Sequence, residues 1–149
     1  MTVRELAGRH RSKVIVRRSL ATMVDFIVMI VIGGAVGVIV GERSTATSVV
    51  IFLAIPIVYY LAFEASMGRT VGKLLTGLKV VDERGAVPSL RAVLIRTATR
   101  IVEVNPFLLG GIPAGIIADR SAARQRWGDM LAGTYVLLTH DLSELTTAG

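Results

Sequence analysis

The chain has no cysteine, two histidines, four prolines and one tryptophan among few aromatic residues. Without thiols it can form neither a disulfide nor a thiolate metal site. His10 and His140 each lack a second histidine nearby, so metal binding is not expected, and no cofactor is implied. Acidic residues are also scarce, 11 against 17 Lys and Arg, which gives a net charge of +6 over 149 residues. A basic chain can bind nucleic acid. Here the charges flank apolar blocks instead of interleaving with aromatics, so no nucleic-acid partner is expected. No Ser/His/Asp set is present, and an enzyme is not expected.

What the chain has in excess is apolar sequence, 52% of its residues, gathered in long runs. Leu20–Val40 is apolar almost throughout and holds one acid, Asp25. A run of about 20 such residues matches the hydrocarbon thickness of a bilayer. An ionisable group in such a run is costly and usually functional. Gly33, Gly37 and Gly41 recur at intervals of one helical turn and form a face for close helix packing. A second span is predicted at 47–65, with Pro56 inside it and Tyr59 and Tyr60 near its inner boundary. Glu64 sits at that boundary, either as a solvated acid at a helix end or as a functional carboxyl.

Six Lys and Arg fall in residues 1–18 and seven more lie between Arg69 and Arg100, whereas the connector between the spans holds only Glu42 and Arg43. Positive charge marks the cytoplasmic side. This predicts a multi-pass protein of the cell membrane with residues 1–17 as a basic cytoplasmic tail that meets anionic headgroups. The apolar block exceeds a signal-peptide core and no A-x-A site closes it, so cleavage is not expected.

Residues 68–88 read as a cytoplasmic loop with a short strand at 77–82. Its GRTVGK resembles a phosphate loop only superficially. The glycines Gly68 and Gly72 are too close together, and Leu74, not Ser or Thr, follows Lys73. An amphipathic helix is predicted over 89–104, with Arg96, Thr99, Arg100 and Glu103 opposite its apolar face. Its arginines either bind lipid headgroups or turn inward, so that Arg96 or Arg100 offsets Asp25. Residues 101–118 are short for a crossing and suit a re-entrant segment, with a third span as the alternative. The segment 124–140 carries Arg126, Trp127 and a second strand at 133–139 that can pair with the first, and 141–149 reads as a mobile tail. The fold class is therefore an all-α membrane protein with two full spans, an interfacial helix, a re-entrant or third segment and a small cytoplasmic β element.

Three blocks, RRSLATMVD (17–25), FEASMGRTVGKLLTGLKVVDERG (63–85) and RQRWGDMLAGTYV (124–136), resemble the RDD family of small integral membrane proteins over roughly 16–138. Val71 stands where many members have proline. The resemblance implies that Arg18 (or Arg17) is the family arginine and that Asp25 and Asp129 are its aspartates. It also implies a transport role, with cation/proton antiport suggested for some members. On that reading Asp25 and Asp129 are the ion or proton sites, balanced by Arg18, Arg96, Arg100 or Arg126, and the small fold calls for a homo-oligomer. The alternative is a non-catalytic scaffold or assembly partner for another membrane protein, in which the Arg/Asp network locks helix packing.

Overall fold

The computed structural model describes residues 2–9, 11–41, 44–103 and 125–147. Two long helices dominate it: α2 (Arg11–Val40) and α3 (Thr45–Met67). At ~1.5 Å per residue, α2 is about 45 Å long, half again the hydrocarbon thickness. It ends at Gly41, whose φ of +69° suits glycine. Ser44 then caps α3 by accepting from the Thr47 N–H. Gly68 closes α3 in the left-handed region and donates to the Glu64 carbonyl at 3.0 Å. Both helices keep their apolar side chains on the outside: Val38 and Ile39 are more than four-fifths exposed, and Phe52 is 71% exposed. A core helix of a soluble protein would bury such residues. Lipid is the solvent that suits them.

The other elements gather at the end of the hairpin away from Gly41 and Ser44. In chain order they are α1 (Val3–Arg9), α4 (Val71–Leu75), β1 (Leu78–Asp82), α5 (Leu90–Glu103), α6 (Trp127–Leu131), β2 (Thr134–Leu138) and α7 (Thr139–Thr147). The two strands pair antiparallel, with Val80 opposite Val136 at the centre. Alternation sends Leu78, Val80, Val136 and Leu138 to one face, where Val14 and Ala21 of α2 cover them. Val81, Tyr135 and Leu137 go to the other face, against Val3, Leu6 and Ala7 of α1 and Leu142 of α7. With both faces covered, every residue of β2 is buried.

Two expectations are corrected by this cap. The described part of residues 1–17 is not a basic tail on headgroups alone, because α1 buries Leu6 and Ala7 on the sheet and α2 begins at Arg11. Nor are residues 141–147 loose: they belong to α7, and Asp141 is 2% exposed. The re-entrant or third-span reading of 101–118 falls almost wholly outside the described residues.

The cap is also built from a repeated unit. Helix α4 leads through Gly77 into β1, and α6 leads through Gly133 into β2, both glycines with positive φ. In sequence, VGKLLTGLKVV matches WGDMLAGTYVL position by position, so Gly72 answers Gly128 and Lys73 answers Asp129. The helices they pack on, α2 and α5, match too, with Arg18 and Ala21 answering Arg96 and Thr99. Gly72 lies so close to α2 that a Cβ would overlap the Ala21 carbonyl, and a Cβ on Gly128 would overlap the Thr99 hydroxyl on α5. A local two-fold through the Val80–Val136 pair thus relates α4–β1 to α6–β2.

Candidate functional site

Three buried carboxylates mark the junction of hairpin and cap. Asp25, on α2, is 3% exposed. It accepts from the Tyr59 hydroxyl at 2.7 Å, the Thr70 hydroxyl at 2.6 Å and the Gly72 N–H at 2.7 Å. Close approach of Gly72 to α2 is what brings that N–H within reach. A carboxylate offers about four lone-pair sites, and donors from α3 and α4 occupy three of those on Asp25. Tyr59 is itself held by the Val71 N–H at 3.1 Å.

Glu64, on α3, is fully buried and receives three cations: Lys73 from α4, and Arg96 at 3.1 Å and Arg100 at 2.7 Å from α5. Arg100 also lies over the Tyr60 ring, 3.8 Å from its centroid, a stacking that favours a guanidinium. Asp129, on α6, pairs with Arg18 and Arg96 and accepts from the Arg126 N–H at 3.2 Å. Arg96 further donates to the Thr134 hydroxyl at 2.7 Å. Arg96 therefore bridges two carboxylates, and a continuous chain runs Lys73, Glu64, Arg96, Asp129, Arg18.

The electrostatics follow from this packing. Burial pushes the Lys73 ammonium down to about 7, against the opposing pull of Glu64. Burial also works against the Asp129 charge, but Arg96 and Arg18 together outweigh it and hold the carboxyl well below the usual carboxylate range. For Arg100, burial is likewise outweighed, chiefly by Glu64, and its pKa is raised.

The network brings together most of the residues singled out by sequence. Arg18 is buried on Asp129, whereas Arg17 lies outside and donates to the Thr76 carbonyl at 3.2 Å. Arg96 and Arg100 do turn inward, but their carboxylates are Glu64 and Asp129, not Asp25. On α5 Arg96 is covered, 3% exposed, while Leu90 and Leu94 are 61% and 48% exposed. That reverses the headgroup reading of these arginines, because two buried acids draw them in. Arg126 joins Asp129 through its backbone and lines a small cavity beside it. Of the three packing glycines, a Cβ on Gly33 would lie 3.7 Å from Ile55 of α3, while one on Gly37 or Gly41 would meet nothing within 4 Å among the described residues.

Lys73, Thr70 and Thr134 are not among the candidates the sequence offers, and Tyr59 and Glu64 enter there only as residues at the inner boundary of the second span. The Gly72/Gly128 repeat is a usable signal for Lys73, since its counterpart is Asp129. No metal-ligating cluster occurs among the described residues. The cavity measures about 30 Å³.

No curated protein and no solved structure matches the chain. The sequence model of the RDD family matches residues 13–133, a stretch that includes nearly all of α2, the whole of α3, the paired acids and arginines and the start of the closing motif. With two apolar helices exposed along their length and that match over most of its sequence, the chain belongs to the RDD family of small membrane proteins.

Proposed function

We propose that this protein is a non-catalytic membrane scaffold, in which a buried charge network clamps a two-helix hairpin to a cap at the inner face of the cell membrane. The observation that carries this reading is the saturation of the acids. Asp25 has three donors, Glu64 three cations and Asp129 two. These contacts join α2, α3, α4, α5 and α6, so the charges do the work of assembly. The N-terminal basic run supports a cytoplasmic cap, and the exposed Gly34 and Gly37 give the hairpin a smooth face for a second copy or another membrane protein.

Transport is the second reading. It is favoured by the cavity, which lies between the two repeated units, where transporter sites commonly form. One substitution separates the two. In Asp25→Asn the clamp loses a charge-assisted acceptor, worth about 1.5–3 kcal/mol, and thermal stability in detergent should fall accordingly. In proteoliposomes the wild type should show no cation-dependent proton flux. A wild-type flux that Asp25→Asn abolishes, with stability unchanged, would reject the scaffold and establish transport.

A further inference from the structure

We propose that the cavity between the two repeated units binds a single phosphate-type oxyanion, through Arg100 and Lys73. Three observations converge on it. The first is charge. Arg18, Lys73, Arg96, Arg100 and Arg126 share the region with Asp25, Glu64 and Asp129, five cations against three acids among the described residues. Asp25 spends its oxygens on two hydroxyls and an amide, and Arg18, Lys73, Arg96 and Arg100 are bonded to Glu64 and Asp129. Surplus positive charge in a site of low polarity is costly unless an anion meets it.

The second observation is an orphaned donor. Nη2 of Arg100 is bonded to Glu64, but Nη1 is buried and has no hydrogen-bond partner among the described residues. Buried donors are almost always satisfied. A guanidinium held by its face on Tyr60 and by one nitrogen on Glu64 presents the other nitrogen as a fixed donor. Arg favours oxyanions for this reason.

The third is depth. Lys73 and Asp129 reach the cavity from α4 and α6, and the same short helices expose Leu74, Leu75, Trp127, Met130 and Leu131. Trp and apolar side chains at the end of a span belong at the headgroup level. The cavity thus lies where a phospholipid phosphate and a free phosphate can both reach it. A charged headgroup seated there would staple the two halves together.

Trp127, the sole tryptophan, adjoins the Gly128 and Asp129 that line the cavity, so its fluorescence is the readout. Protein in maltoside micelles, which carry no phosphate, is titrated with sodium phosphate at constant ionic strength against chloride. A second arm titrates short-chain phosphatidylglycerol. Saturable binding in either arm supports the proposal, and the arm that saturates names the source. Arg100→Gln should weaken that binding by at least about ten-fold, while Arg84→Gln, on the exposed turn after β1, should leave it unchanged. Arg100→Lys keeps the charge on Glu64 and removes the fork, so it should also weaken binding and serves if Arg100→Gln does not fold. No saturation in either arm, or equal affinity in the folded Arg100 variants, overturns the proposal.

Discussion

Replacing Gly72 by alanine adds one methyl group at the point where α4 touches α2. The added carbon would overlap the Ala21 carbonyl and lie 2.8 Å from Asp25 Oδ1. Ala21 is helix backbone and cannot swing aside, so α4 must retreat. Overpacking of this kind costs about 1–3 kcal/mol. The retreat also breaks the 2.7 Å bond from the Gly72 N–H to Asp25, and a hydrogen bond to a charged group is worth about 1.5–3 kcal/mol. Alanine returns at most ~1 kcal/mol through helix propensity. We therefore expect Gly72→Ala to destabilise the fold by about 1.5–5 kcal/mol. Unfolding by sodium dodecyl sulfate in mixed micelles, followed by Trp127 fluorescence and circular dichroism, measures this directly. Gly37→Ala is the internal comparison, since nothing lies within 4 Å of its added carbon, and it should be neutral or slightly stabilising. Equal stability of Gly72→Ala and Gly37→Ala would refute the contact between α4 and α2 as the seat of Asp25.

Glu64→Gln should be the most damaging single change, because it leaves three cations around a neutral amide; breaking buried pairs costs about 3–5 kcal/mol, and monodisperse yield in detergent reports it. Lys73 supplies a pH signature. Its folded pKa of about 7 lies below its ordinary value of 10.5, so between those two values the unfolded chain binds the extra proton and stability rises with pH. Lys73→Met should remove that rise. On the acid side, Asp129 is held below its ordinary 3.8, so its contribution is complete above about pH 4 and drains away below it; Asp129→Asn should flatten that loss in an acid titration.

The spans were legible because lipid imposes a simple demand, a long run with no polar face. The strands were legible because Leu78–Asp82 and Thr134–Leu138 are short apolar runs of β-forming residues, each preceded by a glycine with positive φ. Arg18, Asp25 and Asp129 came from the motif blocks. What the sequence hid is pairing. Glu64 and Arg96 are 32 residues apart and Arg18 and Asp129 are 111 apart, and no local pattern states that they meet. Helix α1 was masked by its charges, since only Val3, Leu6 and Ala7 face the sheet. The repeat was masked by its own chemistry, with Lys73 in one copy where the other carries Asp129.

A double-mutant cycle on Arg18 and Asp129 reaches the clamp itself, because their ion pair ties the first long helix to the closing motif. The measurement is the unfolding free energy in micelles of Arg18→Gln, Asp129→Asn and the pair together. We expect each single change to destabilise and the double to cost less than their sum, with a coupling of about 1–3 kcal/mol. Strict additivity, with a coupling indistinguishable from zero, would mean that the buried charges do not hold the hairpin to its cap.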